Sequence, residues 1–279
     1  MSISVLTRII VELICKKILI SLSILNHQNY LRREIMRKSI LSKLLIICSL
    51  AVLIFHSCKD DSPAPAIPAV PDQSFVEEFD TASAALARGW QIINTSDPLG
   101  GGIWEDGGRA QPYFKAYSNK GRLAGFIGVD VTSTSADVGT ISNWLISPSV
   151  IMQNGDKIIF YTRAYQFFDG VSDTSDFGNC LEVRINPLND VVNVGIGFSN
   201  FIQGLLVINP NLVYSSVVRP NADSYPTQWT RFEATVVGVD RSVRGRFAFR
   251  YFVKDGGRGS SGNGSAIGID SVAYKSIGH

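Results

Sequence analysis

The residue types behind most enzyme chemistry are nearly missing from the bulk of this 279-residue chain. Histidine occurs only at His27, His56 and His279: two lie in apolar N-terminal segments and one is the last residue. The long stretch between His56 and His279 therefore cannot hold a Ser–His–Asp triad, a Cys–His dyad or a histidine-based zinc site. The four cysteines, Cys15, Cys48, Cys58 and Cys180, include no CxxC pair, which removes thiolate zinc sites and dithiol redox motifs as well. Carboxylates remain. Asp169, Asp173 and Asp176 cluster in "FFDGVSDTSDFGN", and paired acids cleave glycosides when burial separates their proton affinities. Their neighbours here are Gly, Ser and Thr, so solvated turn residues are the preferred reading. A cation site in that loop and a carboxylate-dependent glycoside hydrolase are the alternatives. Of the four tryptophans, Trp104 stands in "GGGIWEDGGRAQPYF", a loop-like context with Tyr113 and Phe114 nearby. Aromatic rings stack well on sugar faces, so Trp104 is the residue expected to face a glycan; the alternative is a side chain that plugs one end of the domain.

The elements that would carry such residues begin after an apolar leader. Leu44–Phe55 is a twelve-residue run of almost pure Leu, Ile, Val, Ala and Cys. As a helix it spans about 18 Å, short of a hydrocarbon core of about 30 Å, and fits the apolar region of a signal peptide. Arg37, Lys38 and Lys43 supply the positive flank, and the small Ser57 precedes Cys58. Together these resemble a bacterial lipoprotein leader, which implies that Cys58 becomes the first mature residue and carries acyl chains. The chain departs from that pattern with Phe55 and His56 where small residues are usual, and an uncut signal anchor is the alternative. Lys59-Asp60-Asp61 resembles the acidic export tag of Bacteroidetes surface lipoproteins and implies display from the outer membrane at the cell surface; a charged start to a solvated linker is the plainer reading. Residues 1–35 are apolar but broken by Arg8, Glu12, Lys16 and Lys17. Met36 opens a complete leader by itself, so translation is expected to start there, the alternative being an amphipathic helix on the membrane surface.

Charge follows the same boundary. Residues 1–58 hold eight of the 26 Lys/Arg and two of the 24 Asp/Glu, leaving 18 and 22 for residues 59–279, a net of −4. The basic balance belongs to the leader, and nucleic acid is not an expected partner. Only Cys180 lies beyond the lipidation position, so that part of the chain has no disulfide to rely on and must be held by its core. Residues 58–74, with the proline-rich "DDSPAPAIPAVPDQ", read as a semi-rigid tether.

From Phe75 onward β-rich segments alternate with Gly, Asn, Asp and Ser clusters. Strands are expected at 157–165, 180–187, 231–237, 246–253 and 266–274. In "RFAFRYFV" the set Phe247, Phe249, Tyr251, Val253 alternates with Ala248, Arg250, Phe252, a half-buried strand pattern. "TASAALARG" (81–89) reads as a short helical turn. "KDGGRGSSGNGS" (254–265) lacks the GKS/T of a phosphate loop and reads as a flexible hairpin loop. The expected class is all-β, a sandwich over residues 75–279.

"VEEFD" (76–80), "GW" (89–90), "WLISPSV" (144–150), Trp229, "FRYFVKDGG" (249–257) and "IGIDSVAY" (267–274) occur in order. Together they resemble the cleaved-adhesin or choice-of-anchor J domains, jelly-roll sandwiches related to MAM-type domains. The resemblance implies a non-catalytic, surface-anchored module that binds a glycan or a host or matrix protein, with Trp90 and Trp144 in its core. A structural subunit of a surface complex is the alternative. It also implies a structural Ca2+ held by Glu78, by Asp80 or Glu77, and by Asp270, where the first and last strands meet; the alternative is carboxylates merely hydrogen-bonded at strand ends.

Overall fold

The computed structural model describes residues 71–107, 111–118, 123–168 and 173–277, with a few helical positions before them (Lys16, Lys17, Ser21, Glu34 and Met36–Lys38). The chain divides into two compact units, Met1–Ile67 and Pro68–His279. Cys58, the run before it, most of the tether and Asp169 lie outside the described residues. Among the described residues, no helix is long and apolar enough to cross a membrane.

The second unit is a sandwich of two antiparallel sheets. Sheet A runs β12 (Thr230–Thr235), β7 (Lys157–Tyr165), β14 (Ala266–Lys275), β4 (Ile127–Asp130) and β3 (Glu105–Asp106). Sheet B runs β11 (Gln203–Ile208), β10 (Leu181–Asn186), β13 (Val243–Gly256), β5 (Gly139–Ile146) and β2 (Gln91–Asn94). In chain order the eight strands β4, β5, β7, β10, β11, β12, β13 and β14 cross from sheet to sheet at every step except β10 to β11. Their spatial orders, β4-β14-β7-β12 and β5-β13-β10-β11, are those of a jelly roll. Two short strands extend the sheets. β1 (Phe75–Glu77) continues the edge of β14 beyond β4, and β6 (Val150–Met152) does the same for β13 beyond β5. A small hairpin, β8 (Phe167–Phe168) with β9 (Thr174–Ser175), and one helix, α1 (Ala82–Ala87), capped by the Thr81 hydroxyl, complete the unit.

The strands form where the alternation places them. Phe247, Phe249, Tyr251 and Val253 of β13 point into the space between the sheets and meet Phe160, Ile267, Ile269 and Tyr274 from sheet A. Phe247 stacks on Tyr274 at 5.8 Å and meets Trp90 edge-on at the same distance. Each such buried ring contributes about 2–3 kcal/mol. Trp90 and Trp144 are both core residues.

The opposite face of β13 departs from expectation: Arg250 is 1% exposed rather than solvated. The segment 189–202 folds over the outer face of sheet B and lays Val192, Val194 and Phe201 against Trp144 and Ile146. Arg250 donates to Glu182 (3.1 Å) and Ser142 (3.0 Å) and to the Ile196 carbonyl of the overlying segment. Arg184 donates to the carbonyls of Phe201 (2.8 Å) and Ile202 (3.1 Å), with its guanidinium 3.5 Å from the Phe198 ring centre. Burial pulls both guanidinium pKa values below the ordinary range, against the opposing pull of Glu182. One carboxylate thus serves two buried cations. Replacing Glu182 with Ala is expected to cost about 3–5 kcal/mol in urea unfolding of the full chain; a loss below about 1 kcal/mol would mean that the carbonyl acceptors suffice without the carboxylate.

Candidate functional site

A cleft of about 460 Å³ opens at the end of the sandwich where β14 begins. Its walls are Tyr113, Phe167 and Phe177 on one side and the 257–264 segment with Arg258 on the other, and Asp130 and Ser265 also line it. Asp130, the last residue of β4, is buried. Its carboxylate accepts from the Thr132 amide (2.8 Å) and from the Tyr113 hydroxyl (2.7 Å), which orients that ring. Arg258 is exposed and carries no ion pair among the described residues. The glycine-rich segment joins sheet B to sheet A and is therefore not the hairpin expected. It is tied by amide bonds from Gly257 to Asn263, Gly259 to Asp137 and Gly264 to Phe177. Gly257 (φ +149°) passes so near Asp137 that a Cβ would lie 2.3 Å from its carbonyl oxygen.

The cleft continues into a row of rings across the outer face of sheet A. Tyr113 lies 5.6 Å from Phe167 and 5.1 Å from Tyr165. Tyr165 leads to Phe114 (6.5 Å), Phe114 to Trp229 (5.3 Å), Trp229 to Tyr117 (6.4 Å), and Tyr117 stacks on Tyr161 at 3.7 Å. Phe114 and Phe126 form the buried floor, stacked at 4.7 Å. They lie flat because β14 has Gly268 beneath them, where a Cβ would come within 2.8 Å of both rings. Tyr113, Tyr161, Tyr165 and Trp229 are half-buried and Tyr117 is 38% exposed, so the row offers ring faces and edges to solvent. The Trp229 indole donates to the Lys115 carbonyl at 2.9 Å, which fixes its orientation.

The expectation for Trp104 is corrected. Trp104 is 0% exposed, packs in the main core and donates to the Asn143 carbonyl at 3.3 Å. The glycines before it make a tight contact instead of an open loop. Gly100 and Gly102 bond to the Ser133 and Thr132 carbonyls, and a Cβ on either would stand 2.3 Å from Thr132. That contact drives the next large side chain inward. Trp229 is the tryptophan that reaches the surface. Its sequence signal is weak: a tryptophan between Gln228 and Thr230, just ahead of an edge strand.

The proposed cation ligands separate into two groups. Asp270 is fully buried at the point where β14 changes partner from β4 to β1, and Ser271 after it has φ +50°. Burial pushes the Asp270 carboxyl up to about 6, opposed by donors from the Ser118 amide and hydroxyl and the amides of Tyr117 and Ser271. Glu78 comes to the same place. Its Oε1 is 3.5 Å from the Ser271 hydroxyl, its carbonyl is 3.5 Å from the Ser118 hydroxyl, and its Oε2 is buried with no hydrogen-bond partner. Asp80 is exposed at the start of α1, within the electrostatic reach of Arg88, and Glu77 is bound to Arg88 at 2.8 Å. Neither joins Glu78 and Asp270. Among the described residues no group of three His, Cys, Asp or Glu side chains converges. Both Asp270 oxygens already accept hydrogen bonds from the Tyr117, Ser118 and Ser271 amides and the Ser118 hydroxyl, and Glu78 Oε2 is the one carboxylate oxygen at this place without a partner. Asp173 accepts from the Thr174 amide as a turn residue, but Asp176 is not the solvated acid expected: it is fully buried, accepts from the Ser215 amide, has one oxygen without a partner, and burial raises its pKa.

No protein family and no curated protein matches the chain. Among solved structures, the K1 cleaved adhesin domain of Lys-gingipain from Porphyromonas gingivalis W83 is similar at 19% identity and a TM-score of 0.45, over 74% of this chain and 99% of that one. The K3 cleaved adhesin domain of the same protein is similar at 15% identity and a TM-score of 0.44, over 73% and 98%. The carbohydrate-binding module TmCBM61, solved with β-1,4-galactotriose, is similar at 10% identity and a TM-score of 0.35, over 72% and 97%.

The calcium expectation for Glu78 and Asp270 has a direct test. Added Ca2+ is expected to raise the melting temperature of the EDTA-treated chain, and Glu78→Gln or Asp270→Asn to abolish the rise. A melting temperature indifferent to Ca2+ and EDTA would remove the site.

Proposed function

We propose that the β-sandwich binds a glycan chain without cleaving it, along the aromatic row on sheet A and into the cleft beside Asp130 and Arg258. The row of rings, partly exposed on either side of the buried Phe114, carries this reading. Six ring-to-ring steps from Phe167 to Tyr161 supply stacking surfaces in series, as an extended sugar polymer requires and a compact metabolite does not. Stacking needs faces held in place, and the Asp130 bond to Tyr113 and the Lys115 bond to Trp229 hold two of them. The cleft offers an arginine and backbone groups for orientation, beside a buried carboxylate that holds the Tyr113 hydroxyl. We read Cys58 as the acylated first residue of the mature chain and the proline-rich segment as the tether from an outer membrane. Glu78 and Asp270 would hold a structural Ca2+ beside Ser118.

Two measurements check these statements. Glycan-array or affinity-electrophoresis binding by the full chain is expected to fall at least about tenfold in Trp229→Ala and in Tyr113→Ala, the loss of one stacked ring being worth about 1–2 kcal/mol. Unchanged binding in both, or hydrolysis of the bound polymer, would overturn the reading. The intact mass of the native protein is expected to equal residues 58–279 plus acyl chains; a mass that retains residues 1–57 would refute the anchor.

A further inference from the structure

We propose that Arg163 makes the aromatic face selective for acidic sugars, by pairing its guanidinium with the carboxylate of a uronic acid or similar residue. The inference rests on the glycan reading and adds a ligand class to it. Arg163 projects from the outer face of β7 between Tyr161 and Tyr165. In register it stands opposite Gly268, so the position of β14 directly across from it carries no side chain. Its guanidinium carbon lies 4.4 Å from the centre of the Phe114 ring, the same floor that Trp229 meets edge-on at 5.3 Å.

What sets Arg163 apart is a half-buried guanidinium with no acid and no hydrogen-bond partner at Nε. Arg88 pairs with Glu77, Arg231 with Glu233, and the two buried guanidiniums of sheet B share Glu182. Arg163 is half-buried, its Nε is buried with no hydrogen-bond partner, and no carboxylate among the described residues pairs with it. Burial alone pulls its pKa down, with no acid opposing. A partly desolvated cation without a counter-charge is a standing cost to the fold. A planar fork of donors held over a ring matches a carboxylate in two-bonded geometry, and the neighbouring rings would stack on the sugar that bears it.

The experiment compares polygalacturonate, alginate and hyaluronan with their carboxyl-reduced, uncharged forms, using the full chain and four variants. The full chain is expected to bind at least one uronate polymer about tenfold or more tightly than its reduced form. Arg163→Gln is expected to remove that preference and leave the reduced polymer bound as before, and Arg163→Lys to keep part of it through charge alone. Arg231→Gln, which removes an equal charge already paired with Glu233, is expected to leave the preference intact, and Trp229→Ala to weaken both polymer forms. Equal binding of charged and reduced polymers, a preference that survives Arg163→Gln, or an equal loss in Arg231→Gln overturns the selectivity while the glycan reading stands. Binding of none of the six polymers overturns both.

Discussion

The outer face of sheet A depends on the absence of a side chain at one position. Gly268 lies in the middle of β14, between β7 and β4, and any Cβ there would strike Phe114 and Phe126. With the position empty, two rings settle directly on the backbone, and the remaining aromatic residues arrange themselves against that floor. The same vacancy leaves Arg163 without a neighbour across the ladder. A single glycine thereby sets the height of the aromatic layer and the isolation of the cation beside it. A larger residue would have to lift the floor, at a cost of about 1–3 kcal/mol for overpacking.

The two sheets use their outer faces in contrasting ways. On sheet B, the 189–202 segment covers the face, and the arginines beneath it are satisfied by one glutamate and by carbonyls of the cover. The polar groups there are spent on attaching a loop. On sheet A, the covering segment around 113–118 is itself aromatic and leaves its rings partly open, and of the two arginines on that face Arg231 pairs with Glu233 while Arg163 has no acid. Buried cations with full sets of partners attach a loop; the half-buried Arg163 has a ring for a neighbour and no acid.

How much of this could be read from the residues follows from the range of the forces involved. Strands β7, β10, β12, β13 and β14 were legible because alternation of side chains is local, and α1 because Thr81 caps a run of alanines. The jelly-roll class followed from many short strands and from the order of the motifs. Burial on both faces of β13 was not legible, since it depends on a segment some fifty residues away folding back over Arg250. The burial of Trp104 was not legible for a similar reason. Glycines around Trp104 suggest an open loop, yet they exist there to permit close backbone contact with Thr132 and Ser133. Glu78 and Asp270 each contact Ser118 because the first and last strands lie side by side, whereas the diversion of Glu77 and Asp80 toward Arg88 depends on the short helix between them.

One further property lies in the direction of β14. The strand starts at the cleft and ends beside Phe75, where the folded unit begins, with the Ser276 amide bonded to Ser74. Its ten residues span about 33 Å. On the glycan and tether readings, a bound polymer and a chain held ahead of Phe75 would load opposite ends of this one strand. Force along β14 would then shear the three β1–β14 pairs together instead of opening them one at a time.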